Sequence, residues 1–351
     1  MHGTELNSLS LDELQQFMEE IGEERYRAEQ LFTYLHRNRG MTIDGISVFS
    51  TGLKDKLKQV SRINNIEIYE RLISDLDGTR KYLFTLEDDN IIEGVLMEYR
   101  HGLTACISTQ VGCRMGCVFC ASSKDGLARN LSPAEIANQI YIMENDVDRS
   151  ITNIVLMGSG EPLDNYDNTL KFLYIIHDEK GHNISYRNIT LSTCGIVPNI
   201  YKLADEGLPI TLSISLHTPF DEDRKKIMPI GHRYTIDDII KACKYYINQT
   251  NRRVTMEYIL IGGVNDRVED QNKLIQILQG MECHVNLIPL NPIEEFDQRK
   301  PTLESIYRFQ NRLSKANIPT TIRKEMGGDI SAACGQLRRR YIYDKYERTL
   351  R

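Results

Sequence analysis

Three rhythms of apolar and polar positions succeed one another along the chain. Up to about residue 60 the apolar positions recur at helical spacing. Leu11, Leu14, Met18 and Ile21 follow Ser10 and Glu13, a pair that can close a capping box at a helix start. Gly22 ends that helix, and a second one from about residue 25 to Gly40 buries Ala28, Leu31, Phe32 and Leu35. Residues 62–103 change to alternation. Ile66-Glu67-Ile68-Tyr69, the turn Asp77-Gly78, the run 82–86, the turn Asp88-Asp89-Asn90 and the run 91–97 predict a short antiparallel meander.

From about residue 103 to 325 strand-like and helical runs alternate. The strands are expected at 105–110, 153–158, 188–192, 210–216, 254–261 and 284–289, with helices such as 132–144, 166–177, 236–248 and 271–279 between them. Ser132-Pro133-Ala134-Glu135 is a helix start, with Ser at the cap and Pro in the first turn. Such alternation implies a parallel sheet with helices outside, hence an α/β fold. Six units favour a partial (β/α)6 barrel over a flat doubly wound sheet. The expected organisation is a helical accessory module over 1–60, a β-meander over 61–103, the barrel over 104–325 and a C-terminal segment over 326–351. No internal repeat, low-complexity stretch or Pro/Gly/Ser-rich linker interrupts it.

Composition narrows this picture. At 351 residues and 41% hydrophobic, the chain can bury a sizeable core. No apolar run is long enough to span a bilayer, and the polar start Met1-His2-Gly3-Thr4-Glu5 is unlike a signal peptide. A cytoplasmic protein is expected, in which clustered cysteines mean metal or catalysis more often than disulfides. A net charge of −6 excludes a surface that grips nucleic acid all over, but not a local basic face. Arg37, Arg39, Lys54, Lys56 and Lys58 make the first module locally basic. The tail interleaves Arg338, Arg339, Arg340, Lys345, Arg348 and Arg351 with Tyr341, Tyr343 and Tyr346. Such a tail can hold phosphates and stack on bases, or can simply be solvated.

The chemistry concentrates in Cys113-Arg114-Met115-Gly116-Cys117-Val118-Phe119-Cys120, read as following the first barrel strand directly. Thiolates are soft ligands for iron–sulfur clusters, zinc or copper(I). Three of them on a four-iron cluster leave one iron open for substrate; a closed zinc site would need a fourth ligand, from Cys106 or Cys194. Active-site groups of a barrel collect at the C-terminal strand ends. Those ends carry Gly158-Ser159-Gly160-Glu161, Ser192-Thr193-Cys194, Ser215-Leu216-His217, Gly262-Gly263 and Asn291-Pro292. Each group is weak alone; their convergence is not.

The cysteine loop followed by Gly158-Ser159-Gly160-Glu161-Pro162 resembles the radical S-adenosylmethionine (SAM) superfamily. The runs 106–113, 160–163, 191–193, 215–217, 286–289 and 329–337, ending in Ala332-Ala333-Cys334-Gly335-Gln336-Leu337, resemble its RlmN/Cfr family of RNA adenine methyltransferases over nearly the whole chain. That resemblance implies a [4Fe-4S] cluster on Cys113, Cys117 and Cys120. It implies an amino-group site for SAM at Gly160 and Glu161, and a pocket lined by Ser192, Ser215, Leu216, His217 and Asn291.

Adenine C2 has no lone pair with which to attack a sulfonium methyl, and the family answers with a relay. The resemblance makes Cys334 the methyl acceptor from a first SAM, thiolate being a good nucleophile. A second SAM then gives the 5′-deoxyadenosyl radical, which takes hydrogen from the S-methyl group; the methylene radical adds to C2. Glu93 matches the family's proton acceptor, although Cys106 could also take the C2 proton. Attack of Cys106 on the Cys334 sulfur would release the product and leave a disulfide that a thiol reductant resets. The implied substrates are 23S rRNA near the peptidyl-transferase centre and the adenosine 3′ to the anticodon in some tRNAs, bases that can be extruded into a pocket. An electron donor is needed, no membrane is involved, and a monomer is expected. C8 methylation, radical chemistry on a non-RNA substrate and a zinc-stabilised RNA-binding module are the competing readings. Cys194, Cys243 and Cys283 are left as structural.

Overall fold

The computed structural model describes residues 3–290 and 299–332. The first module runs β1 (Thr4–Glu5), α1 (Leu11–Glu20), α2 (Tyr26–Phe32), α3 (Thr51–Val60) and β2 (Ser61–Arg62). Its two short strands pair in parallel and bring its ends together. The expected capping box is present at α1: Ser10 Oγ accepts from Glu13 N, and Glu13 Oε2 accepts from Ser10 N.

The meander is β3 (Glu67–Ile73), β4 (Arg80–Thr85) and β5 (Ile91–Tyr99), followed by β6 (Gly102–Cys106). Next comes a small ribbon of β7 (Gln110–Gly112) and β8 (Leu127–Asn130). The barrel continues as α4 (Pro133–Val147), β9 (Ile151–Leu156), α5 (Tyr166–His177), β10 (Ile189–Thr193), α6 (Val197–Asp205), β11 (Thr211–Ser215), α7 (Asp221–Ile227) and α8 (Ile236–Thr250). It ends with β12 (Val254–Leu260), α9 (Val268–Leu278), β13 (Cys283–Pro289), α10 (Leu303–Lys315) and β14 (Thr320–Ile322). One ten-stranded sheet has the order β14-β13-β12-β11-β10-β9-β6-β5-β4-β3, parallel from β14 to β6 and antiparallel beyond.

Two expectations need correction. The first barrel strand does not run from 105 to 110 into the cysteine loop. It stops at Cys106 because the amides beyond find other acceptors: Ser108 N donates to Gln139 Oε1 at 2.9 Å and Thr109 N to Ser159 O at 2.9 Å. The parallel part also gains a seventh strand, β14, whose three residues are too short a run to signal themselves.

The main core fills the space between the sheet and its helices, and a second core lies within the first module. Ile175 of α5 belongs to the second, so the module is docked on the barrel's own helix. Polar ties reinforce the docking: Asn138 Nδ2 donates to Asn64 O at 2.8 Å, Arg39 pairs with Glu144 at 3.2 Å, and His36 Nδ1 lies 3.0 Å from the Tyr141 hydroxyl. Among the described residues no helix is long and apolar enough to cross a membrane.

His36 is wholly buried, and burial, with His182 nearby, lowers its pKa to about 3. The unfolded chain therefore binds this proton below pH 6.5 while the folded chain stays neutral. The stability it contributes is complete above pH 6.5 and declines on acidification by about 1.4 kcal/mol per pH unit. Urea unfolding between pH 6.5 and 5 should show a shallower loss of stability in His36→Gln than in the wild type; equal slopes would show that the folded imidazole is already charged.

Candidate active site

At the end of β9 the chain presses main chain against main chain. Gly158 N donates to Ile107 O at 3.0 Å, while Thr109 N and Gln110 N donate to Ser159 O at 2.9 and 3.2 Å. Ser159 N donates to Ser108 Oγ and Glu161 N to Gln110 Oε1, both at 2.8 Å. A Cβ on Gly158 would lie 2.7 Å from the Ile107–Ser108 peptide. Gly160 has φ +108°, and a Cβ there would meet Gln110 at 2.6 Å. Only glycine permits this approach.

The clasped segment leads into β7, and the β7–β8 ribbon brackets the cysteine loop. Cys113 N donates to Gly126 O at 2.9 Å, Ser123 Oγ donates to both Cys117 O and Cys120 O at 2.8 Å, and Val118 N reaches Ile227 O on α7 at 3.0 Å. Burial raises all three thiols, Cys113 to about 12, and the loop cysteines oppose one another's ionisation. Such thiolates are costly until bound cations neutralise them, which suits an iron–sulfur cluster. Among the described residues no three His, Cys, Asp or Glu side chains converge on a single metal ion. Thiolates on separate corners of a cluster need not.

Beneath the loop, the Phe119 ring meets His217 edge-on, with centroids 4.9 Å apart at 89°. His217 holds a left-handed φ of +61°, a conformation rare outside glycine. Its Nδ1 accepts from Ile259 N at 3.1 Å, which leaves the proton on Nε2. Burial first, then Arg224, lowers its pKa to about 3, so the imidazole is neutral. Leu216 is buried beside it, and Ser192 and Ser215 stand half-buried at the ends of β10 and β11. Glu161 is buried, and each carboxylate oxygen accepts a main-chain amide: Oε1 from Leu163 N at 3.0 Å, Oε2 from Cys194 N at 2.7 Å. Its side chain thus ties the turn to the end of β10.

A residue missed in the sequence completes this wall. Arg224 is fully buried and its Nη2 donates to Cys194 O at 2.6 Å. Among the described residues its Nε and Nη1 have no partner. The run Asp221-Glu222-Asp223-Arg224-Lys225-Lys226 reads as a solvated helix face, which hid it.

A second constellation lies where meander and barrel join. Cys106 ends β6, half-buried, its thiol pushed up to about 11 by burial, with Arg323 and Lys81 favouring the thiolate and Glu93 opposing it. Glu93 on β5 is buried, and its carboxylate lies 3.5 Å from the Nζ of Lys81 on β4. Lys81 also donates to Ser331 O at 2.7 Å. The structure therefore brings Cys106 and Glu93 together and adds a lysine that sequence reading passed over. Cys334, Asn291 and the basic tail lie outside the described residues. In the first module Arg39, Lys56 and Lys58 form ion pairs with Glu144, Glu23 and Asp44. The described cysteines are all free thiols.

A parallel barrel sheet whose strand ends carry a clasped three-thiol loop is the architecture of a radical SAM protein, and residues 107–274 match the radical SAM superfamily. Residues 4–63 match the ribosomal RNA large subunit methyltransferase N-terminal domain. A radical SAM methyltransferase from Sphaerobacter thermophilus, known from a crystal structure, matches at a TM-score of 0.90 and 42% identity, covering 95% of this chain and 98% of that one. The probable dual-specificity RNA methyltransferase RlmN of Alkaliphilus oremlandii is 55% identical over 343 residues, 97% of this chain and 99% of the relative. That of Clostridioides difficile is 52% identical over 336 residues, covering 96% and 98%. The chain belongs to the RlmN family.

Gly160→Ala combines a strained φ with a main-chain collision. It should lower the iron and sulfide retained after anaerobic reconstitution severalfold relative to the wild type. Wild-type retention would show that the loop does not depend on the clasp.

Proposed function

We propose that this RlmN-family methyltransferase places a methyl group on C2 of adenosine in 23S rRNA, near the peptidyl-transferase centre, and in some tRNAs at the adenosine 3′ to the anticodon. The observation that carries the reading is the half-buried Cys106 beside the buried Glu93, next to the segment that leads into Cys334. Direct displacement cannot methylate C2, so a protein nucleophile has to carry the methyl group, and the chain has one three residues beyond Ser331.

Cys113, Cys117 and Cys120 hold the cluster in this reading. When bound, a [4Fe-4S] cluster with one open iron supplies the electron that splits SAM into methionine and a 5′-deoxyadenosyl radical. Around it Gly160, Ser192, Ser215, Leu216, His217 and Asn291 bind and orient SAM. At the Gly160–Glu161 turn the main-chain carbonyls face the amino group in this reading, and the Glu161 carboxylate, each oxygen of which accepts one amide, holds the turn in place. Neutral His217 offers an N–H donor and no base. Cys334 receives the methyl group of one SAM, and a second SAM is used for the radical, so two are consumed per turnover.

Glu93 takes the C2 proton once carbon is joined to the Cys334 methylene, and the adduct gives up its unpaired electron to the oxidised cluster, leaving a closed-shell thioether. Cys106, as thiolate, then attacks the Cys334 sulfur; the C–S bond breaks with its electron pair on the methylene carbon, which takes up a proton to become the methyl group, and a disulfide remains for a thiol reductant to open. Arg323 and Lys81 lower the cost of the Cys106 thiolate in that step. Substrates and reductant place the work in the cytoplasm.

The test is anaerobic turnover of reconstituted protein with reductant, SAM and an unmethylated 23S rRNA fragment, followed by nucleoside separation. 2-Methyladenosine should form and fall at least a hundredfold in Cys334→Ala. 8-Methyladenosine would contradict the regiochemistry, and no product from cluster-loaded protein would contradict the substrate.

A further inference from the structure

We propose that Lys81 is a positioning residue for this reaction, its ammonium pinning the main chain just before Cys334 to the carboxylate of Glu93. The inference rests on the cysteine relay proposed above.

The Lys81 side chain is fully buried near the start of β4, opposite Leu72 of β3 and Val95 of β5. A buried ammonium is tolerated only where acceptors surround it. Its Nζ donates to Ser331 O at 2.7 Å, and the Glu93 carboxylate, with Oε2 3.5 Å away, is its counter-ion. A lysine serving stability alone could have paired with any neighbour. These partners are the two elements that the relay must bring together.

The segment around Ser331 is fastened to the same hairpin at other points. Asp329 accepts from Ser74 Oγ at 2.6 Å and from Asp75 N at 2.9 Å, and Gly327 N donates to Asp77 Oδ2 at 3.0 Å. These contacts fix the start of the segment at the β3–β4 turn. Ser331 itself has a left-handed φ of +48°, which for a serine needs support from its surroundings. Lys81 gives that support from inside the sheet, at the point where the chain heads for Cys334. Cys334 follows three residues later in the sequence, and three residues span at most about 11 Å, so the hold on Ser331 fixes the point from which that reach is measured.

The test uses cluster-loaded protein under anaerobic conditions in glutathione redox buffers. Cys106 and Cys334 give up two electrons and two protons to oxidised glutathione, which becomes two reduced molecules. Peptide mass spectrometry reads the fraction disulfide-linked, and hence the effective concentration of one thiol at the other. Lys81→Met should lower that value at least tenfold, and S-methylation of Cys334 by SAM should fall in parallel, with iron content unchanged. Lys81→Arg should restore most of both.

Lys81→Met removes the Lys81 cation from beside Glu93, so Lys81→Met combined with Glu93→Gln guards against simple unfolding and should show the same tenfold loss. A wild-type effective concentration in both variants would overturn the role of Lys81 alone. A wild-type protein that forms no Cys106–Cys334 disulfide would overturn the relay, and this inference with it.

Discussion

The reactive end of the barrel depends on the approach of residues 158–161 to residues 107–110. Five hydrogen bonds cross that contact, and two glycines make it possible by having no Cβ to place there. The end of β9 and the segment that launches the cysteine loop therefore move as one body. Glu161 extends the tie to β10 through the Cys194 amide, and Arg224 continues it from α7 to the Cys194 carbonyl. Each loop is held by its neighbour rather than by solvent, which is the preorganisation that a radical site needs.

β6 is the strand on which the two halves of the chemistry meet. One side of it pairs with β5 of the meander and the other with β9 of the barrel. Cys106, its last residue, thus stands between the Glu93–Lys81 pair and the clasp that supports the cysteine loop. Because all ten strands belong to one sheet, the relation between those halves is fixed by main-chain hydrogen bonds. The meander gains a purpose from this: it carries Glu93 and Lys81, and its first turn anchors residues 327–329. The first module has its own core and joins the barrel through α4 and α5.

Much of this was legible in residue patterns, and the gaps have physical causes. The capping box at Ser10, the helix start at Ser132 and the alternation of strands with helices declared themselves, because local spacing dictates them. The break of the first barrel strand after Cys106 did not, because it depends on Gln139 and Ser159 accepting amides from a distance. Lys81 and Arg224 sit in charged runs that normally face water, and only the fold shows that both are buried. The tie from the Glu161 side chain to the end of β10 was hidden for the same reason: it accepts amides two and 33 residues away. Residue type and spacing identified the groups, and tertiary contact decided which of them were free to act.

Electron paramagnetic resonance of the reduced, anaerobically reconstituted protein tests the central claim most directly: that the clasped three-thiol loop holds a cluster with an iron open to SAM. The account predicts a reduced [4Fe-4S] signal whose shape changes when SAM is added and which disappears in Cys117→Ala. A colourless protein carrying zinc, or an iron–sulfur signal indifferent to SAM, would contradict it.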